Sequence, residues 1–221
     1  MVNNCPSIAI FDLDNTILDG DCELLWVRYL VDKKVVDHRY LERTNGFFTD
    51  YADGTIDYPA YVKHLLDPFI GFTRARVEAL VSPYVESLKP LIRPALAERL
   101  AYHRKVGDVI LLASSSINIL IEPIARILGI DNAVCTIVEF ENDVVTGNYV
   151  GDLAFGRSKV NKVKAWIEEH QLSLDGSWGY SDSQNDVPLL QFVQNPVAVF
   201  PDASLRQAAV KKGWKVIDGN E

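Results

Sequence analysis

The chain alternates short apolar runs with longer stretches whose apolar residues recur every three or four positions. The runs are Ile8–Phe11 and residues 109–113, 178–180, 197–200 and 214–217. They are apolar almost throughout, rather than at every second residue, as strands buried on both faces of a parallel sheet should be. The amphipathic stretches between them predict covering helices, and hence an α/β fold. One helix starts near Pro94, a residue suited to a first turn, runs to Lys105 and is followed by Gly107. Another spans about 117–128 and stops at Gly129, a suitable left-handed cap; Pro123 inside it predicts a kink or a late start.

Two stretches break this rhythm. Residues 19–88 read as helical without a strand and are dense in aromatics, among them Tyr29, Tyr40, Phe47, Phe48, Tyr51, Tyr58, Tyr61 and Phe69. They predict an all-helical cap inserted over the carboxyl end of the first strand, with 1–18 and 89–221 forming the α/β core. Residues 134–150 predict a β-hairpin in which Asn142 and Asp143 supply the turn.

Composition narrows the choice. With 48% hydrophobic and 24% charged residues, the 221-residue chain can bury a real core, which excludes a disordered protein. A net charge of −8 argues against a nucleic-acid partner, which needs a basic face. It leaves a phosphorylated small molecule open, because a bound metal and one or two cations can dominate the local field. Cys5, Cys22 and Cys135 are odd in number and widely spaced, so reduced core thiols are expected rather than a disulfide framework. Residues 1–7 are largely polar and the apolar run after them is short, so neither a signal peptide nor a membrane span is expected, and a cytoplasmic location is. The four histidines lack metal-ligand spacing, and no GxSxG, GxxxxGK or GxGxxG pattern occurs.

Four clusters follow predicted strands. Phe11-Asp12-Leu13-Asp14-Asn15-Thr16 places two carboxylates, Asp12 and Asp14, where both can face one ligand. Such a pair can hold Mg2+ while one acid attacks phosphorus and the other handles protons, although either could simply cap a helix. Leu111-Leu112-Ala113-Ser114-Ser115-Ser116 ends a buried run in hydroxyls; Ser114 and Ser115 with helix N–H groups could cradle a phosphate, or one could be an N-cap. Lys159 begins a helix, where a cation is slightly unfavourable with the dipole, and could instead hold phosphoryl oxygens. Gly179-Tyr180-Ser181-Asp182-Ser183-Gln184-Asn185-Asp186 brings two further acids, Asp182 and Asp186, suited to an oxygen-coordinated metal. Each cluster alone is weak. Four in one chain order at successive strand ends point to one site, since those ends converge where α/β sheets bind ligands.

These residues resemble the haloacid dehalogenase superfamily, in particular its phosphoserine-phosphatase-like branch with a helical cap. The DxDxT motif is matched by Asp12, Asp14 and Thr16, the motif-two hydroxyl by Ser114, and the motif-three lysine by Lys159. GDSxxD is matched by residues 180–186, with Ser181 where Gly is usual. The resemblance implies a phosphatase in which Asp12 is the nucleophile and Asp14 the acid and base. Ser114 and Lys159 would hold phosphoryl oxygens. Asp12, the carbonyl of Asp14 and Asp182 would bind Mg2+, with Asp186 in support. A phosphomutase of the same superfamily and a non-catalytic binder of phosphorylated ligands are the alternatives.

Asp21 lies nine residues after Asp12, where phosphoserine phosphatases place a Glu resembling an ammonium-binding group, and Glu23 is close by. These acids could read an amine on the substrate, or sit in a first helical turn where the dipole favours them. No arginine occurs in 53–61 to hold a substrate carboxylate, leaving Arg43, Arg74 and Arg76. A phosphorylated amino alcohol such as histidinol phosphate is therefore expected ahead of phosphoserine.

Overall fold

The computed structural model describes residues 6–219, so the expected thiol at Cys5 lies outside the described residues. Strand β1 (Ile8–Phe11) is buried on both sides. Ile8 and Ile10 enter one apolar layer with Val160, Val163 and Ile167, whereas Ala9 and Phe11 enter the other. That alternation, on an all-apolar strand, makes β1 the middle of a three-layer body. A tight turn over Leu13–Ile17 follows, with Asn15 at φ 54° and Leu18 N–H donating to the Leu13 carbonyl at 3.0 Å.

Between this turn and α5 (Pro94–Val106) lie four helices: α1 (Cys22–Asp32), α2 (His38–Ala52), α3 (Tyr58–Leu66) and α4 (Arg74–Ser87). Their starts obey capping chemistry. Asp21, Asp37, Asp57 and Thr73 each accept a backbone N–H from the first turn they precede. Helix α4 packs along α6 (Asn118–Leu128), and one apolar cluster runs without interruption from the sheet into α1, α3 and α4. The helical segment is thus joined to the sheet by shared core as well as by chain.

The remaining elements are β2 (Val109–Ile117), β3 (Asn132–Glu141), β4 (Val144–Val150), α7 (Gly156–Glu169), β5 (Trp178–Ser181), α8 (Val187–Leu190), β6 (Asn195–Val199), α9 (Ala203–Lys212) and β7 (Lys215–Ile217). They build one seven-stranded sheet of order β4-β3-β2-β1-β5-β6-β7, parallel except for β4. The chain leaves β1 toward β2 on one side and returns to β5 on the other. That reversal puts a crevice beyond the carboxyl ends of β1, β2 and β5.

Three expectations change. Strand β2 does not stop at residue 113 but runs to Ile117, with its register against β3 shifting between Ala113 and Ile117. A single helix passes through Pro123 and begins at Asn118, so the proline neither delays nor divides it. The hairpin exists, with Asn142 and Asp143 at φ 49° and 66°, the pair of left-handed residues that a two-residue loop needs. Its first arm, however, is also a strand of the main sheet, pairing with β2 before it pairs with β4. The far side of β4 is held to the helical segment. Gly71 N–H donates to the Val145 carbonyl and Val145 N–H to the Phe72 carbonyl. A Cβ on Gly147 would fall 2.7 Å from the Ile70 side chain, so only glycine permits this approach.

Candidate active site

Asp12 leaves β1 still paired with its neighbour, its N–H donating to the Tyr180 carbonyl at 2.9 Å. This last rung of the β1–β5 ladder aims the carboxylate into the crevice. Lys159, in the first turn of α7, reaches the same place from the opposite layer. Its Nζ donates to Asp12 Oδ1 at 2.7 Å and to Asp186 Oδ2 at 2.8 Å. The lysine is 1% exposed and Asp12 is 7% exposed. Burial alone would push the ammonium pKa down, but the two carboxylates outweigh it and hold the pKa well above its ordinary value. Ser181, the residue at the unusual position of motif four, uses its hydroxyl to donate to Asp186 Oδ2 at 2.8 Å. It thereby fixes the second carboxylate against Lys159.

Asp182 lies on the other side of Asp12. The Thr16 hydroxyl is 2.9 Å from Asp182 Oδ1 and 3.4 Å from Asp12 Oδ2; with one proton it donates to the nearer. Two carboxylates that share one hydroxyl are close enough to share an ion. Burial raises the Asp12 pKa well above the carboxylate range; Lys159 pulls against that rise, while Asp186, Asp182 and Asp14 add to it. Burial likewise pushes Asp182 up to about 7, with Thr16 opposing and Asp186 assisting. Asp12, Asp182 and Asp186 therefore gather near a single ammonium, an excess of negative charge that a divalent cation would relieve. The donors are all oxygen, which suits Mg2+. Among the described residues no three His, Cys, Asp or Glu side chains converge as a ready-made cage. Two carboxylates and a main-chain carbonyl, completed by water, would still meet the demands of Mg2+, which keeps several waters.

Asp14 faces away from this cluster. Its Oδ1 accepts the Cys22 N–H at 2.7 Å, and its Oδ2 accepts the hydroxyls of Ser116 at 3.0 Å and Ser114 at 3.5 Å. The expectation for Asp14 as a metal ligand concerns its main-chain carbonyl, and these contacts engage only its side-chain oxygens. Ser115 also differs from expectation. Because β2 stays extended through this stretch, alternate residues face opposite ways. Ser114 and Ser116 face Asp14, while Ser115 offers its carbonyl to Tyr58 Oη at 2.9 Å and to Thr136 Oγ1 at 3.0 Å. Ser116 was missed, and the period-two alternation of a longer strand would have found it.

Asp21 and Glu23 are near Asp14 but already occupied. One oxygen of Asp21 caps α1 by accepting the N–H groups of Glu23 and Leu24, both at 2.9 Å. Glu23 is buried and bridges three elements, accepting Tyr61 Oη at 2.9 Å and the Ile117 N–H at 3.0 Å. Burial pushes Glu23 up to about 8, with Asp14 contributing, and burial also raises Asp21, helped by Asp14 and Glu23. Three residues of the helical segment close over the site. Tyr51 Oη lies 3.2 Å from Ser183 Oγ in the loop after β5, and Tyr58 and Tyr61 reach β2 and Glu23.

An open α/β sheet with acids, hydroxyls and a buried lysine gathered at three neighbouring strand ends defines a phosphoryl-group hydrolase. The family model described as haloacid dehalogenase-like hydrolase matches residues 9–191, and the chain belongs to that family. It is 35% identical over 96% of its length to a histidinol-phosphatase of Neisseria meningitidis serogroup C, 98% of which is covered. It is 30% identical over 95% of its length to a phosphoserine phosphatase, SerB1, of Mycobacterium tuberculosis, with 70% of that protein covered. Among solved structures, a Bordetella pertussis protein of unknown function superposes with a TM-score of 0.89 at 28% identity, covering 97% of this chain and 99% of that one. A substrate-bound phosphoserine phosphatase shares the fold, with a TM-score of 0.72 at 14% identity over 98% of this chain and 94% of that one. The protein is a phosphatase of this family. Among the described residues no helix is long and apolar enough to cross a membrane.

Proposed function

We propose that the protein hydrolyses a small phosphorylated amino alcohol, with histidinol phosphate first and phosphoserine second, through a phosphoryl group carried on Asp12. The observation that carries this reading is the pairing of two acids with opposite surroundings. Asp12 is gripped by Lys159 at 2.7 Å, which aims it and favours its ionised form against the burial that raises its pKa. Asp14 lies against hydroxyls and the start of α1, turned toward the helical segment that would cover a leaving group. In the first step a carboxylate oxygen of Asp12 bonds to phosphorus as the ester P–O bond breaks, and Asp14 gives its proton to the departing alkoxide. In the second, Asp14 takes a proton from water, whose oxygen attacks phosphorus and frees Asp12 with release of inorganic phosphate. Ser114 and Lys159 would hold phosphoryl oxygens. Mg2+ held by Asp12, Asp182 and the Asp14 carbonyl, with Asp186 supporting through Lys159, would neutralise phosphoryl charge. The helical segment 19–88 would act as the cap.

The substrate preference rests on charge. Asp21 and Glu23 place two carboxyl groups beside Asp14, both raised by burial, whose ionised forms an ammonium on the substrate would favour. The arginines that could hold a carboxylate are exposed and engaged elsewhere: Arg43 over the Tyr40 ring, Arg74 with Asp143, and Arg76 over the Phe72 ring. A substrate with an amine and no carboxylate fits that arrangement better, which favours histidinol phosphate. Phosphoserine keeps second place through the likeness to SerB1.

The test is phosphate release from histidinol phosphate, phosphoserine, phosphoethanolamine, sugar phosphates and an aryl phosphate, with Mg2+ and with EDTA. Release should require Mg2+ and be greatest for histidinol phosphate. Asp12→Asn should lower it by several orders of magnitude, since the nucleophile is gone. Near-native turnover by that variant refutes the mechanism, and phosphoryl exchange without net release would indicate a mutase.

A further inference from the structure

Three aromatic rings meet beside the candidate site, and each is tied to a different phosphoryl-site loop. Tyr51 is tied to the loop after β5 through Ser183 at 3.2 Å. Tyr58 is tied to the end of β2 by donating to the Ser115 carbonyl at 2.9 Å. Phe155 is tied to Lys159 through the chain itself, its carbonyl accepting the Lys159 N–H at 3.4 Å at the head of α7. The rings also meet one another. Tyr58 and Phe155 lie parallel, with centroids 4.3 Å apart and 8° between planes, and Tyr51 tilts against Phe155 at 6.1 Å. Tyr58 comes from the helical segment and Phe155 from the α/β body, so this stack is formed across the seam between them.

Phe155 occupies the N-cap of α7, where no side-chain oxygen caps the helix, as is also so at Arg93 before α5 and Ile117 before α6. Ser, Thr, Asp or Asn there would strengthen the helix, so a phenyl group at this position forgoes local stability. Outside the stack lies a cleft of ≈ 330 Å³ that Tyr58 and Phe155 line together with Tyr149, Asp152, Leu153 and Ser158, the last adjacent to Lys159. The stacked pair thus stands between this cleft and the strand ends to which Tyr58 and Lys159 are tied.

We infer that Tyr58 and Phe155 form a clamp for a flat ring on the leaving group, so that the preferred substrates are phosphomonoesters of ring-bearing alcohols. The inference deepens the proposed reading and rests on it. When the seam parts, the two parallel faces accept an aromatic ring between them, and Asp152 at the cleft can accept an N–H from its edge. An imidazole meets both requirements.

The experiment compares histidinol phosphate with 2-aminopropyl phosphate, which keeps the amine and the phosphate but lacks the ring. The readout is the ratio of the two kcat/KM values in the wild type, Phe155→Leu and Phe155→Tyr. The wild type should favour histidinol phosphate. Phe155→Leu should lower the ratio about tenfold, the size expected for losing one aromatic face, mainly through KM, and Phe155→Tyr should restore it. Parallel losses on both substrates in Phe155→Leu would overturn the clamp and leave the phosphatase reading standing. Turnover of neither substrate by folded wild-type protein in Mg2+ would overturn both.

Discussion

Glu23 offers a quantitative test of how the helical segment is joined to the sheet. Its carboxylate is buried against Tyr61 and the Ile117 N–H, with Asp14 as the charged neighbour from the β1 loop. Burial and Asp14 push it from an ordinary 4.5 to about 8. A carboxyl group whose folded pKa is raised binds its proton more tightly in the native state than in the unfolded one. Stability therefore falls as pH rises from 4.5, and the full cost is present above 8. At about 1.4 kcal/mol per pH unit that gap corresponds to roughly 5 kcal/mol, and hydration on any loosening of the seam brings the observable effect to about 2–5 kcal/mol. Glu23→Gln removes the ionisation while keeping the shape. The amide oxygen still accepts from Ile117, and the amide nitrogen donates to a Tyr61 hydroxyl that reverses its role. Urea denaturation at pH 5, 7 and 9 measures the difference between the two proteins. Asp12, which is also raised, titrates in both and cancels, whereas Asp21 is relieved of the part of its rise that Glu23 causes and adds to the variant's gain. The variant should gain on the wild type steadily across this range. Parallel stability curves would refute a buried, strained carboxyl at this seam.

Lys159→Met should destabilise the protein by about 3–5 kcal/mol, because it strands Asp12 and Asp186 as buried acids without their cation. It should also abolish phosphate release. An unchanged thermal midpoint would show that the pair contributes nothing to folding. Asp21→Asn should keep the α1 cap, since asparagine accepts the same N–H groups, but remove the charge. KM for amine-bearing substrates should then rise about tenfold, with an aryl phosphate little affected; equal effects on both would make Asp21 a cap residue alone.

The sequence made the sheet and its strand-end residues legible for a local reason. Asp12 and Asp182 immediately follow strands and Ser114 lies in the carboxyl-terminal half of β2, so their direction is fixed by the few residues before them. Lys159 stands 147 positions from Asp12 and still lands within 2.7 Å of it, because parallel strands carry successive loops to the same edge of the sheet. Contacts that depend on how elements dock were not legible in this way. The partners of Glu23 lie on α3 and at the end of β2, and nothing in residues near 23 announces either. Residues 132–136 were only partly seen as strand, since Asn132 and Ala133 have little β character and extend by pairing with β2.

The residues proposed to read the leaving group show the limit most sharply. Tyr51, Tyr58 and Tyr61 belong to helices, where each step of one residue turns a side chain by about 100°. An uncertainty of one position in where α2 or α3 begins therefore decides whether a tyrosine faces the phosphoryl loops or the cap's own core. Phe155 is no easier to read, for it stands where a helix wants a capping oxygen but so do Arg93 before α5 and Ile117 before α6. Chemistry fixed by strand ends survives a change of helical segment, whereas recognition built on that segment can change with a single turn of a helix. Similarity over nearly the whole chain to differently named relatives, a histidinol-phosphatase and a phosphoserine phosphatase, is what this division of labour leads one to expect.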